Sequence, residues 1–81
     1  MKIGKVIGTV VSTRKDEALV GFKLLVIETD DTQERLVAID TVGAGVGERV
    51  LVATGSAARV TLLVHAPVDA TVVGIIDTVN L

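Results

Sequence analysis

The chain has 81 residues and a formal net charge of −2, from 8 Lys and Arg residues against 10 Asp and Glu residues. This length provides for one hydrophobic core, so we expect a single domain over residues 1–81. There is no cysteine and one histidine, His65, which excludes disulfides and thiolate metal sites and argues against structural zinc. The negative balance gives no general attraction to nucleic acid or to an anionic membrane, and neither is expected as a partner.

β-branched residues recur along the chain at a spacing near two, which predicts strands. The first half predicts a strand over 2–13, a polar loop over 14–21, a strand over 22–29, a tight turn over 30–33 and a strand over 34–40. The strands on either side of the turn form a hairpin.

The second half begins with a predicted strand over 48–54. The sequence GSAAR at 55–59 predicts a turn or one helical turn, with Ser56 as an N-cap. A further short strand is predicted over 60–65, Pro67 interrupts, and a last strand is predicted over 69–79. Five or six strands with little helix predict an all-β fold, a small five-stranded barrel like the oligonucleotide-binding (OB) fold with one short helical turn.

Oligomerisation is the remaining route to stability. A domain of this size buries only about 60% of the surface of its unfolded chain, and small domains usually add disulfides, a metal or copies of themselves. The chain is 49% apolar, with Phe22 as its one aromatic residue, so part of this aliphatic surface is expected to be hidden against other copies. The alternative is a dense monomeric core with scattered exposed valines. No apolar run is long enough to span a bilayer, and no signal-peptide pattern follows Lys2 and Lys5, so a cytoplasmic location is expected.

The stretch GAGVG at 43–47 raises the question of a phosphate-binding loop. A dinucleotide fingerprint requires G-x-G-x-x-G ahead of a helix, whereas here Glu48 takes the place of the third glycine and a strand follows. We therefore interpret the stretch as a turn between strands whose glycines adopt positive φ. Ala44 and Val46 keep this turn apolar, as a packed contact or a narrow opening would require.

No set of residues has the pattern of a catalytic or metal site. His65 has no Ser, Cys or carboxylate beside it, and Ser56 lacks the G-x-S-x-G context of a nucleophile elbow. Asp30 and Asp31 lie in a turn that is too short for a calcium loop. We expect no enzyme activity, no cofactor and no metal.

OB-type barrels raise single-stranded nucleic-acid binding as an alternative function. Such binding uses stacking aromatic residues and a basic groove. The single phenylalanine and the cluster of Arg14, Lys15 and Lys23 supply little of either. The alternative therefore stays open but receives weak support from the residues.

Three segments resemble the pentameric vertex proteins of bacterial microcompartments. They are MKIGKVIGTVVSTRK at the start, DTVGAGVGERVLVATGSAAR in the middle and PVDATVVGIID near the end, in the family's order and covering nearly the whole chain. The resemblance implies a β-barrel that assembles as a homopentamer and closes the five-fold corners of a shell otherwise tiled by hexamers. It implies a structural role in the bacterial cytoplasm, without catalysis.

The resemblance also implies the residues at the subunit interface or five-fold axis: Asp40, Gly43, Ala44, Gly45, Gly47, Glu48, Gly55, Ser56, Ala58 and Arg59. We interpret the small residues as allowing close approach of neighbouring backbones. Asp40, Glu48 and Arg59 would supply charge-assisted hydrogen bonds that fix the register between subunits. Candidates for contact with neighbouring hexamers are Lys2, Arg14 and Lys23.

Overall fold

The computed structural model describes residues 1–62 and 65–81. In this part of the chain five strands form a closed barrel: β1 (Lys2–Val10), β2 (Lys23–Thr29), β3 (Arg35–Asp40), β4 (Arg49–Thr54) and β5 (Ala70–Ile75). The order around the barrel is β1-β2-β3-β5-β4, and the β3–β5 pair is parallel while the other pairs are antiparallel. The predicted all-β, five-stranded barrel is confirmed.

Alternation of inward and outward side chains builds the barrel core. In β2, Leu25, Ile27 and Thr29 are buried, whereas Val26 and Glu28 between them are partly exposed, as expected for a strand with one face on a core. The core contains small aliphatic side chains: Val6, Leu25, Ile27, Ala38, Ala44, Val50, Val52, Ala70 and Val72. Burial of each Val, Leu or Ile contributes about 1.5–3 kcal/mol. A barrel filled by residues of this size needs no aromatic side chain.

A second apolar cluster covers part of the outside of the barrel. Ile39 projects outward from β3 and is buried beneath Ala66 and Val68. Partly buried residues packed against this cluster are Ala18, Leu19, Phe22, Leu24 and Leu62. The segments that flank the strands are therefore anchored on the barrel surface.

The described residues contain two short 3₁₀ turns, whereas the sequence predicted one helical turn. The first turn (Glu17–Leu19) lies in the predicted polar loop, and the Asp16 carboxylate caps it by accepting a 2.9 Å hydrogen bond from the Ala18 N–H. The second turn (Gly55–Arg59) is the predicted one, but Ser56 is not its N-cap. Thr54 holds that position, and its side chain makes no capping hydrogen bond.

The predicted strand ends also need correction. The first strand ends at Val10 rather than at residue 13, and the last spans Ala70–Ile75 rather than 69–79. The predicted strand over 60–65 has no counterpart at Val60 or Thr61, which form a turn, and residues 63–64 lie outside the described residues. No helix in the described ranges is long and apolar enough to cross a membrane.

Candidate functional site

The loop between β3 and β4 is folded around the carboxylate of Asp40. Its Oδ1 accepts hydrogen bonds from the N–H groups of Val42 (3.1 Å) and Gly43 (3.2 Å), and its Oδ2 accepts one from the Ala44 N–H (2.9 Å). The side chain is only 4% exposed, and Lys23 Nζ lies 3.5 Å from Oδ2. Lys23 also donates a 2.6 Å hydrogen bond to the Ala44 carbonyl. The carboxylate thus fixes the conformation of its own loop.

The glycines of this loop have different roles. Gly43 and Gly47 adopt φ of 83° and 94°, a left-handed conformation that favours glycine. Gly45 is not in that region; its N–H donates a 2.6 Å hydrogen bond to Glu48 Oε1, and a Cβ at this position would lie 3.4 Å from the same oxygen. The Gly47 N–H donates to the Val6 carbonyl of β1 at 2.8 Å, which ties the loop to the barrel wall.

Ala44 and Val46, two apolar residues of this loop, differ in exposure. Ala44 is fully buried and belongs to the barrel core. Val46 is 62% exposed. The side chain of Ala44 therefore serves the subunit's own core, whereas Val46 and, at 41% exposed, Val42 are apolar side chains of the loop that a neighbouring molecule can reach.

The second 3₁₀ turn is fixed to the start of β5. Gly55 adopts φ of 65°, and its N–H donates a 2.8 Å hydrogen bond to the Asp69 carbonyl. Ala58 is fully buried, and its carbonyl accepts a buried 2.6 Å hydrogen bond from the Thr71 hydroxyl. Ala58, like Ala44, is thus packed inside its own subunit.

Arg59 makes its hydrogen bond within the chain. Its Nη1 donates to the Val68 carbonyl at 3.1 Å, and Ser56 is exposed beside it. Asp40, Glu48 and Arg59 each hydrogen-bond a backbone group of their own subunit, and these bonds stabilise the loops that present the surface.

The structure separates the interface candidates into two clusters. The first loop precedes β4 and the second 3₁₀ turn follows it, so the six residues of β4 lie between them. At about 3.3 Å per residue the clusters are roughly 16–20 Å apart. One cluster contains Asp40, Gly43, Ala44, Gly45, Gly47 and Glu48, and the other contains Gly55, Ser56, Ala58 and Arg59.

Sequence reasoning missed one contributor to each cluster. Lys23 is opposite Asp40 in the β2–β3 register, and counting back from the predicted hairpin turn could have paired them. Thr71 gave no such signal, because its partner carbonyl at Ala58 belongs to a turn 13 residues earlier.

The three candidates for contact with hexamers do not form one patch. Lys2 lies at the start of β1, where Nζ is 3.6 Å from Asp31 Oδ2. Lys23 is at the other end of the barrel, in the first cluster. Arg14 is exposed and has no ion-pair partner among the described residues. Arg14 is therefore the candidate with the freest charge.

Little in the described part of the chain suits metal or nucleic-acid chemistry. Residues 1–62 and 65–81 contain no group of three or more His, Cys, Asp or Glu side chains placed to hold a metal ion. Phe22, the one aromatic residue, is partly buried against the cluster around Ile39, so it is not a free stacking platform.

The barrel is similar to solved structures of one class of protein, the pentameric shell proteins of microcompartments and their relatives. The GrpN pentameric microcompartment shell protein from Rhodospirillum rubrum is similar with a TM-score of 0.87 and 51% identity, covering 100% of this chain and 98% of that chain. The ethanolamine utilization protein EutN is similar with a TM-score of 0.93 and 40% identity, covering 100% of this chain and 91% of that one.

The sequence comparison identifies the family. The chain is 54% identical over 86 residues to the carboxysome shell vertex protein CcmL of Synechococcus elongatus, covering 99% of this chain and 87% of CcmL. Residues 1–77 match the family model described as ethanolamine utilisation protein EutN/carboxysome. The chain belongs to this EutN/CcmL family. The relatives are structural shell vertex proteins rather than enzymes, and they give no support to the nucleic-acid alternative.

Proposed function

We propose that this chain is a structural shell protein that assembles as a homopentamer and closes the five-fold vertices of a microcompartment in the bacterial cytoplasm. The observation that carries the proposal is the full-length similarity to the microcompartment shell vertex protein GrpN of Rhodospirillum rubrum, which is 54% identical over 99% of this chain and 97% of GrpN. The solved GrpN structure is described as a pentameric shell protein. Such a role requires a shaped, rigid subunit and no reacting group.

We further propose that the exposed parts of the two clusters contribute to the subunit contact or to the axial opening. In the first cluster these are Val46 and the backbone around Gly45; in the second they are Ser56 and Arg59. The internal hydrogen bonds of both loops support this proposal, because a surface that is already ordered loses little conformational entropy when a neighbour binds it.

Mass measurement tests the assembly. Native mass spectrometry, or size exclusion with light scattering, is expected to give a mass near five subunits. A monodisperse monomer at micromolar concentration would contradict the proposal.

A substitution at Gly45 tests the placement of the first loop. Leucine there would push against the Glu48 carboxylate and project beyond it, while the barrel core is untouched. Gly45→Leu is expected to reduce the pentamer fraction, while far-UV circular dichroism still shows a folded barrel. Gly45→Ala adds a Cβ alone and is the graded control. If Gly45→Leu assembles as the unmodified chain does, this loop is not at the contact.

The partners beyond the ring are the hexameric shell proteins of the same compartment. Arg14 is the strongest of the three cationic candidates, because Lys2 and Lys23 are engaged within the subunit. Arg14→Ala is expected to leave the pentamer mass unchanged and to lower incorporation into shells co-assembled with those hexamers. Lys15→Ala, which changes the neighbouring cation in the same loop, is the matched control; equal effects of the two changes would refute a specific role for Arg14.

A further inference from the structure

The middle of the loop between β3 and β4 lies between two glycines in the left-handed conformation. Gly43 and Gly47 adopt φ of 83° and 94°, and a Cβ at either position would have no atom within 4 Å. Neither glycine is therefore wedged against the rest of the subunit. The second one is joined to β1, since its N–H donates a 2.8 Å hydrogen bond to the Val6 carbonyl. We call residues 43–47 the strap.

The strap is attached to the barrel mainly through Ala44. The Ala44 methyl group is fully buried in the barrel core. Its N–H donates a 2.9 Å hydrogen bond to Asp40 Oδ2, and its carbonyl accepts a 2.6 Å hydrogen bond from Lys23 Nζ. Among residues 1–62 and 65–81, the backbone groups of Gly45 bond only to Glu48 of the same loop. One alanine thus holds the middle of the strap in place.

This attachment is weaker than the pairing of a strand. Ala44 buries a single methyl group, whereas Val50 and Val52 in β4 each bury a whole side chain and are paired on both sides. The Lys23 side chain is 49% exposed, so water and salt screen its interactions. If Ala44 left the core, water could replace the hydrogen bonds of its N–H and carbonyl groups. Lifting the strap therefore costs less free energy than unfolding the barrel.

We propose that the strap opens and closes over the barrel in a local equilibrium, with Gly43 and Gly47 as its hinges and Lys23 as its latch. In the open state Ala44 leaves the core and Val46 moves with it, while the five strands keep their pairing. The outward surface of the first cluster is then adjustable on a fixed barrel. Because the latch is a half-exposed ammonium group, the open fraction rises with ionic strength. The inference goes beyond the proposed function, because it concerns the single subunit whatever its assembly.

Native-state hydrogen exchange followed by NMR tests the opening. The Ala44 N–H is the informative group, because it is buried and bonded in the closed state and exchanges only when the strap lifts. The reference is the N–H of Val50, which lies between two paired strands. After correction for intrinsic rates, Ala44 is expected to exchange at least about tenfold faster than Val50. Its equilibrium constant for opening should change little with urea, because little surface is exposed, whereas that of Val50 should rise.

A single result on the unmodified chain can overturn the opening. If Ala44 exchanges no faster than Val50, or with the same dependence on urea, the strap opens only when the whole barrel unfolds. All samples are compared at one protein concentration, since assembly stabilises the folded subunit by mass action.

Removal of the ammonium group tests the latch. Lys23→Met keeps the aliphatic stem and should raise the opening constant of Ala44 about tenfold relative to Val50, the effect of one hydrogen bond of ordinary net strength. Lys15→Met is the matched control, because Lys15 Nζ also donates to a backbone carbonyl, that of Ser12 at 2.9 Å, away from the strap. Equal effects of the two changes would overturn the role of Lys23.

Ionic strength gives a second test that needs no variant. Between about 0.05 and 0.5 M salt, the opening constant of Ala44 relative to Val50 should rise in the unmodified chain, because salt screens the half-exposed Lys23. The rise should be absent from Lys23→Met. No rise in the unmodified chain, or the same rise in both proteins, would refute an electrostatic latch.

Discussion

Replacing Asp40 with alanine should destabilise the subunit more than the removal of a polar loop side chain usually does. The change removes the acceptor of three backbone N–H groups and the partner of Lys23. Val42 and Gly43 are exposed, so water can replace the carboxylate at their N–H groups. Ala44 is fully buried, so its N–H would lose its partner without access to water.

The magnitude follows from that difference. A buried donor left without a partner costs about 1–3 kcal/mol, and hydrogen bonds to a charged group contribute about 1.5–3 kcal/mol. The lysine is about half exposed, so its ion pair adds at most about 1 kcal/mol. We expect Asp40→Ala to lower the free energy of unfolding by roughly 2–4 kcal/mol. Asp40→Asn keeps an acceptor oxygen without the charge and should lose about half as much.

The assay is urea unfolding followed by far-UV circular dichroism, because the chain has no Trp or Tyr to serve as a fluorescent probe. All variants are compared at one protein concentration, since assembly stabilises the folded subunit by mass action. The matched control is Asp31→Ala, which removes a 61% exposed carboxylate and its ion pair with Lys2 and should have little effect on the free energy of unfolding, because exposed ion pairs stabilise proteins weakly. If Asp40→Ala costs no more than Asp31→Ala, the carboxylate does not hold the loop as described.

Three further changes test other parts of the structure. Gly47→Ala places a side chain at φ of 94° and should cost about 1–2 kcal/mol in urea unfolding, and a loss no larger than that of Gly45→Ala would contradict the left-handed conformation. Thr71→Val removes a buried 2.6 Å hydrogen bond and should cost about 1–3 kcal/mol. Thr41→Val removes a 2.8 Å bond at an exposed residue and should cost less; equal losses would refute the burial argument. A hydrogen bond from the next residue's N–H lowers the pKa of Asp31. The stability that this carboxylate contributes is therefore present above its unfolded pKa and lost as the pH falls through the folded one, so Asp31→Asn should flatten the decline of Tm below about pH 4, and an unchanged slope would contradict it.

Local patterns in the sequence predicted much of the fold. The hairpin between β2 and β3 followed from β-branched strands around a turn of residues that bond their own backbone. Of the three glycines at 43–47 predicted to adopt positive φ, Gly43 and Gly47 do so and Gly45 does not. Exclusion of a phosphate loop followed from the spacing of the glycines and from Glu48. Each of these properties depends on residues that are near one another in sequence.

Which residues face a neighbour could not be predicted in the same way. Ala44 and Ala58 belong to the glycine-rich segments that suggested close contact between subunits, yet both are buried within their own subunit. Asp40 bonds its own loop rather than offering a free charge. Whether a small side chain points inward is decided by how its loop docks on the barrel.

The sequence by itself determined an undersized aliphatic β-domain with no catalytic set of residues and the pattern of a shell vertex protein. Only the tertiary structure decided which side chains face outward and where the surface has a groove. The register shifts between Val6 and Gly8 and between Leu51 and Val52 set which side chains face outward in two strands. The short β3–β5 pairing opens the groove beside Val37. Side-chain direction in a closed barrel depends on pairing between strands far apart in the chain, and the pattern within one strand does not contain it.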